Sequence, residues 1–460
     1  MIFSSEFFIR PDMMRWLFVI FALAAVVVAP MFLFESVLFA RVTAIAGVCL
    51  VLWLSESVPP FVPTFLLLTM IPLFLAPIDV KFNLANVLTW AVDPVLALFL
   101  GGFAVGAATE RYGFDKFLAR ASLKTAGNSV PKFLLLVILL TAFLSMWMSN
   151  IAAAALMIAC LRPLMTGFDS DHLLRRVLLV GVALGADLGG IATPIGTGPN
   201  AIAIASIASV QSVSFLEWMI FAFPLAMGML ALGYFTLITR LKLHQYDLQG
   251  FTALISAHED KKKRFGKSEI GFLLLLIATI ILWLAEPLHG IPAATISLGA
   301  TSVLFLSGLL KKEDLTRIDW STLLLIAGGI TLGRLLEQSA LVKALAESIA
   351  WQAIHPTLIL FSLCLASAVL SALMSNTATV VMLIPLANAI FDQPSVSILI
   401  AIAASFGIPL VISTPPNAMV YGEGGLKFND LFLPGIIIML LGCLLISLTG
   451  RWVLNFAGIY

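Results

Sequence analysis

The sequence predicts an all-α polytopic membrane protein, with about 11 transmembrane helices plus two re-entrant helical hairpins arranged as two inverted repeats. Three observations carry that prediction: a composition too apolar for water, a series of apolar stretches of spanning length, and motifs that recur once at a nearly constant offset. Of 460 residues, 61% are hydrophobic and 11% are charged, where a soluble domain carries about 25% charge. Mean hydropathy is +1.07 and phenylalanine alone supplies 33 residues, so lipid is the solvent for most of the surface. A net charge of +1 leaves nothing to neutralise a run of phosphates, which argues against a nucleic-acid partner. Cys49, Cys160, Cys364 and Cys443 sit singly in apolar stretches, without the spacing of disulfides or of a thiolate metal site.

Residues 1–38 hold the first membrane helix. Its apolar run from Trp16 to Phe34 is too long for a signal-peptide core and lacks a small-residue cleavage site. Further spans follow at 40–56, 61–77, 94–109, 173–208, 218–238, 270–286, 291–309, 321–336, 396–421 and 431–450. The stretches 133–165 and 357–391 are each interrupted near the middle by polar residues, as in a hairpin that enters and leaves by one face. With those two re-entrant and the N-terminus cytoplasmic, 21 of the 26 Lys and Arg residues fall inside, leaving only Arg41, Lys81, Arg334, Lys343 and Arg451 outside. That split satisfies the positive-inside rule and puts the C-terminus outside. Residues 240–269, which include His-Glu-Asp-Lys-Lys-Lys-Arg, read as a cytoplasmic linker.

The internal repeat decides the organisation. Trp53-Leu54-x-Glu56 recurs as Trp283-Leu284-x-Glu286, 230 residues on. Gly101-Gly102, Gly106 and Glu110 recur as Gly328-Gly329, Gly333 and Glu337 at an offset of 227. Ser149-Asn150-x-Ala152 recurs as Ser375-Asn376-x-Ala378, and Thr197-Gly198-Pro199-Asn200-Ala201 as Thr414-Pro415-Pro416-Asn417-Ala418. The first unit, 39–239, holds five crossings, so the second, 270–450, starts from the opposite side and the repeats are inverted. Inverted repeats with broken helices are the architecture of secondary transporters, with binding at the midplane between the repeats.

The polar clusters suit that role. Within lipid a backbone that leaves the helix is tolerated only around a cavity or buried in protein. Gly189 to Asn200 and Ile412 to Asn417 are rich in Gly and Pro and lie inside spanning segments, so each reads as an unwound helix middle. Unwinding frees carbonyl oxygens for a small cation, with Ser, Thr and Asn oxygens beside them. Helix N-termini present N–H groups to an anion. The result is an anion site flanked by cations and built without arginine. Small polar residues also pack helices together in membranes. Two Ser-Asn pairs and two Pro-Asn breaks related by symmetry favour the binding role.

The segments from Phe143 to Asn150 and from Met374 to Ala378, with the paired Thr-x-Pro-Asn-Ala motifs, resemble the divalent anion/sodium symporters, carriers of dicarboxylates, citrate and sulfate. The resemblance implies a homodimer in the bacterial inner membrane, each subunit with a scaffold domain and a transport domain that moves as an elevator. It implies Na+ as coupling ion, with Ser145, Ser149, Asn150 and Gly196 at a first sodium site and Ser371, Asn376 and Ser413 at a second. Asn150, Asn376, Thr377, Thr197 and Thr414 then contact or adjoin the anion, and Ile151 stands where the family carries Thr. Losing that hydroxyl disfavours an ordinary dicarboxylate and allows sulfate or an anion with one apolar end.

Asp187, in Gly185-Ala-Asp-Leu-Gly-Gly190, lies at membrane depth just before the first break, where a carboxylate is a functional-site hypothesis by default. It can bind a cation or exchange a proton, so a proton-coupled carrier or anion exchanger working through Asp187 is the alternative reading. A hydrogen bond to a hydroxyl or a helix N-terminus is its structural role. Glu56 and Glu286 read as interfacial groups, the Gly-Gly pairs as helix-packing sites, and the five histidines as solvated. The sequence has no HExxH, no GxSxG and no phosphate-cradling loop, so no enzyme is expected.

Overall fold

The computed structural model describes residues 11–126, 129–165, 168–208, 210–241, 266–347, 351–391, 393 and 395–459. Most of the expected linker, 242–265, lies outside the described residues, as do His244 and His258. Among the described residues every regular element is helical. α1 (Pro11–Leu33), α2 (Val37–Ser55) and α3 (Val62–Leu75) lead to a short α4 (Leu84–Ala91), and then α5 (Pro94–Tyr112) and α6 (Phe114–Lys124). The first hairpin is α7 (Val130–Ser145) and α8 (Asn150–Met165). The first broken span is α9 (Leu173–Gly189), a short turn, and α10 (Gly198–Ile207), after which α11 (Phe215–Ile238) closes the first half.

The second half runs α12 (Lys267–Leu284), α13 (Glu286–His289), α14 (Ala293–Leu306), α15 (Trp320–Gln338) and α16 (Leu341–Glu347). Its hairpin is α17 (Pro356–Leu373) and α18 (Asn376–Ile390), and its broken span is α19 (Val396–Ala404) and α20 (Pro415–Gly422). α21 (Phe428–Phe456) ends the fold.

Each of the eleven expected spans coincides with a helix or a broken pair. By length and composition alone, six helices among the described residues are apolar enough to cross a bilayer, or seven if α4 and α5, bent by 43°, count as one. The six include α17, an arm of the second hairpin; of the expected spans, α3 and α14 have only 14 residues each, α9–α10 and α19–α20 are interrupted, and α15 is not among the six. Hydropathy did not announce α4, α6 or α16, which are short and carry polar residues.

Packing explains the sequence patterns. α9 from Val177 to Gly189 and α19 throughout are buried on every side, as expected of helices without a polar stripe. α1 instead exposes Phe18, Phe21 and Phe32, a surface matched to hydrocarbon. The two glycine-bearing helices start alike: Asp93 Oδ1 accepts the Val95 N–H at 2.9 Å, and Asp319 Oδ1 accepts the Thr322 N–H at 2.9 Å. α5 then packs on α14, with Gly101 against Ser297, and α15 packs on α3, with Gly328 against Thr64. A side chain at either glycine would overlap that neighbour, so the Gly-Gly pairs are close-packing sites as read from the sequence.

The Trp-Leu-x-Glu motifs hold the helix connections. Trp53 Nε1 donates to the Pro60 carbonyl at 2.9 Å, Trp283 Nε1 to Ala293 at 3.2 Å, and Glu286 Oε2 accepts the Phe215 N–H that opens α11. Glu56 ends α2 with a left-handed backbone. Among the described histidines, His355 is exposed and its ring accepts the Thr357 N–H at the start of α17, His289 accepts the Ile291 N–H, and His172 stacks on Phe168.

Candidate functional site

The first hairpin tip, residues 146–149, is where α7 ends and α8 begins. Ser145 Oγ there lies 2.7 Å from Asn150 Oδ1 and 2.6 Å from the Ala186 carbonyl. A hydroxyl has one hydrogen, so two acceptors that close leave an oxygen cluster richer in lone pairs than in donors. The break faces the same atoms. A Cβ added to Gly190 would lie 2.8 Å from Asn150 Oδ1 and 2.9 Å from the Gly196 carbonyl, so those oxygens converge beside the glycine. Thr193 Oγ1 donates to the Met146 carbonyl at 2.6 Å and ties the break to the tip. Ser149 Oγ accepts the Ala152 N–H at 3.2 Å, capping α8.

The second half repeats the arrangement. Ser371 Oγ donates to Asn376 Oδ1 at 2.6 Å, and Gly407 packs against Ser371 and Ala368 as Gly189 packs against Ala142. Ser413 Oγ is tied up otherwise: it donates to Leu410 at 2.6 Å and accepts Asn417 Nδ2 at 3.1 Å. Asn150 and Asn376 are the first residues of α8 and α18, where free N–H groups favour an anion.

Two asparagines escaped the sequence assignment although both close quoted motifs. Asn200 Nδ2 donates to the carbonyls of Gly190 at 3.0 Å and Thr193 at 2.8 Å. Asn417 Nδ2 donates to those of Ile408 and Leu410, both at 2.9 Å. Each amide bridges two carbonyls of its break, and each leaves its own Oδ1 buried without a partner among the described residues. Their recurrence in both breaks was the available signal.

The half-helix after each break crosses to the other half. α10 packs on α18 and α19, and α20 packs on α8 and α9. This brings Gly198 against Thr377, whose Oγ1 would lie 2.7 Å from an added Cβ. It also lets Thr414 Oγ1 donate to Asp187 Oδ2 at 2.9 Å. Asn150, Asn376, Thr377, Thr197 and Thr414 therefore stand on the tips and breaks that this crossing gathers. Ile151, next to Asn150, is 48% exposed. Thr197 opens α10 without a side-chain hydrogen bond to it. Trp147 at the first tip stacks in parallel on Phe215 and Trp283, with centroids 6.1 and 6.3 Å away.

One cleft runs beside each of the two glycine-bearing helices, α5 and α15. One of about 300 Å³ runs between α5 and α8 to Met148 and Ser149 at the first tip, with Asp115, Lys116 and Arg317 at its lining. The other, about 440 Å³, lies between α10, α15 and α18, and is lined by Arg334, Glu337 and Asn388. Gly329 meets Val381 and Ile202 in its wall.

A family model described as a citrate transporter (CitMHS) matches residues 50–390 and, in a second overlapping match, 280–458. The chain belongs to the citrate transporter family. An uncharacterized transporter of Haemophilus influenzae is 30% identical over 422 residues, covering 87% of this chain and 88% of the relative. The sodium-dependent dicarboxylate transporter SdcS of Staphylococcus aureus is 26% identical over 442 residues, covering 87% and 83%. The inorganic phosphate transporter PHO87 of Saccharomyces cerevisiae is 28% identical over 421 residues, and this chain spans 44% of its length. The Alcanivorax borkumensis YdaH transporter shares the fold at a TM-score of 0.56, with 13% identity over 86% of this chain. The resemblance read from the Ser-Asn motifs is thus borne out. This family member is a multi-pass membrane transporter of small anions and not an enzyme.

Proposed function

We propose that the protein is a sodium-coupled symporter of a small dianion, a dicarboxylate or sulfate, working by an elevator movement. The observation that carries this reading is the matched pair of Ser-Asn oxygen clusters, Ser145 with Asn150 and Ser371 with Asn376, each at the start of a hairpin's returning helix. Neutral oxygens gathered without a basic residue suit a hard monovalent cation. In this reading Ser145, Asn150 and the Gly196 carbonyl hold one sodium, and Ser371 and Asn376 hold the other. Ser149 supports the first site by capping α8, and Ser413 supports the second by holding its break. The anion binds between the tips at Asn150, Asn376 and Thr377, beside Thr197 and Thr414, with Ile151 removing a donor from one side.

Scaffold helices α5 and α15 remain fixed while hairpins and breaks move together, and the two clefts are the inner and outer approaches. The proposed assembly is a homodimer in the bacterial inner membrane, N-terminus cytoplasmic and C-terminus outside. The test is labelled-succinate uptake into proteoliposomes under an inward sodium gradient against an equal potassium gradient, with sulfate and phosphate as competitors. Uptake driven by sodium alone supports the symporter. Equal uptake under both gradients refutes sodium coupling, and sodium-driven uptake of labelled sulfate without uptake of succinate moves the substrate to the inorganic anion.

A further inference from the structure

We propose that Asp187 is the carboxylate ligand of a further coupling cation, and that this cation, on binding, releases the Thr414 hydroxyl to the anion. The proposal rests on the sodium-symport reading and adds a subsite of different chemistry, charged where the two Ser-Asn clusters are neutral. Asp187 is 4% exposed, on a stretch of α9 that is buried on every side. Its hydrogen-bond partner comes from the other half of the chain, Thr414 at the N-terminus of α20. Among the described residues no Lys, Arg or His forms an ion pair with it; the basic residue of α9 that does pair, Arg176, sits at the far end of the helix with Asp430. A carboxylate enclosed at membrane depth without an ionic partner either holds a proton or takes a counter-charge, and a coupling cation supplies the second. Oxygen ligands, one of them anionic, suit a hard cation such as sodium.

The coupling follows from counting hydrogens. A threonine hydroxyl has one hydrogen and two lone pairs. Thr414 gives its hydrogen to Asp187, and its oxygen accepts the Asn417 N–H at 3.2 Å. So arranged, Thr414 has no hydrogen for an anion, although it caps a helix start at the anion site. A cation on Asp187 Oδ2 takes the place of that hydrogen, and the hydroxyl is free to turn. Cation binding then raises anion affinity through one hydrogen bond that joins the two halves.

The experiment compares wild type, Asp187→Asn and Asp187→Ser in proteoliposomes, after each is shown to be monodisperse in detergent. It reads the sodium-to-anion coupling ratio and the sodium dependence of the anion half-saturation. The expected result is a ratio lower by one sodium in both variants, with an anion affinity that depends less steeply on sodium. Thr414→Val should weaken anion binding and keep the wild-type ratio. If neither Asp187 variant transports, labelled-sodium binding in detergent reads the same loss of one ion. An unchanged ratio, or unchanged sodium binding, overturns the proposal while wild-type sodium-driven uptake leaves the symporter standing. A ratio that changes for protons instead of sodium also overturns it, because Asp187 then carries a proton. Wild type without sodium-dependent uptake refutes the symport reading itself, and this subsite with it.

Discussion

Asn417→Ala should destabilise the fold through the second break. Asn417 is 1% exposed, and its amide donates to two carbonyls of the interrupted span, Ile408 and Leu410. Alanine leaves the Ile408 carbonyl without this donor, while Leu410 keeps the Ser413 hydroxyl and N–H. One buried acceptor left unpaired costs about 1–3 kcal/mol, which is the loss expected here. Asn417→Asp is the sharper variant, since it keeps the shape while setting a carboxylate oxygen against the two carbonyls. The assay is thermal unfolding of the detergent-purified protein followed by tryptophan fluorescence. Asn455→Ala serves as control, because Asn455 is exposed near the end of α21 and such changes stay within about 0.5 kcal/mol. Each kcal/mol moves the midpoint by about 2–4 °C in chains of 150–250 residues and by less in longer ones, so a loss of several degrees is expected. Asn200→Ala should act similarly on the first break, through the Gly190 carbonyl, since Thr193 keeps the Gly196 N–H. Midpoints equal to the Asn455→Ala control would refute the argument that these amides hold the breaks.

Ser145→Ala and Ser371→Ala each remove one oxygen from a proposed cation cluster. At about 1.5–3 kcal/mol for a contact to a charged group, sodium half-saturation in uptake should rise at least about tenfold; equal values would move the sites elsewhere. Ile151→Thr adds a hydroxyl beside Asn150 and should improve succinate against sulfate in competition assays by about tenfold, the worth of one hydrogen bond. An unchanged ranking would remove Ile151 from the selectivity argument. Arg176→Ala breaks a two-pronged pair with Asp430, at 2.8 and 2.7 Å, and leaves that buried carboxylate with the Lys427 N–H at 2.8 Å and, as ionic partner, Arg240 at 3.6 Å. The loss should approach about 3–5 kcal/mol, with part recovered in the double variant Arg176→Ala/Asp430→Ala, both read by thermal unfolding. Gly329→Leu places a side chain where a Cβ already lies 2.6 Å from Val381 Cγ2 and 2.9 Å from Ile202 Cδ1. Uptake should fall while sodium binding persists, and undiminished uptake would show that nothing slides along that face.

The helices were legible because lipid sets their length and the repeat sets their order. Ser149-Asn150 and Ser375-Asn376 stood out because they interrupt apolar runs, and the structure places each at the tip of a helical hairpin. The roles of Asn200 and Asn417 were not legible, although both residues were in view. Which buried carbonyls need a donor is decided by where the backbone unwinds, and sequence locates an unwound stretch without giving its turns. Ser413 shows the same limit from the other side. Its position matched a sodium ligand, yet its hydroxyl is engaged by Leu410 and Asn417. Asp187 was found from its depth alone, whereas its partner, 227 residues away, depends on how the halves cross.

That crossing constrains how the protein can move. α10 departs from the first break but packs on α18 and α19, and α20 departs from the second but packs on α8 and α9. Separating the halves would strip both short helices of their neighbours and break the Asp187–Thr414 bond. The tips are held as closely, since Thr193 binds the Met146 carbonyl and Ser145 reaches the Ala186 carbonyl. Hairpins and breaks therefore form one interlocked body, and opening by parting the two repeats is the costly route. Against α5 and α15 the contact is different in kind. Gly102 meets Ile195, and Gly329 meets Ile202 and Val381, apolar surfaces that can exchange one neighbour for another without stripping a buried hydrogen bond. A movement of the whole body along those two glycine-bearing helices leaves the bonds between tips and breaks intact, and that is the motion the proposed elevator needs.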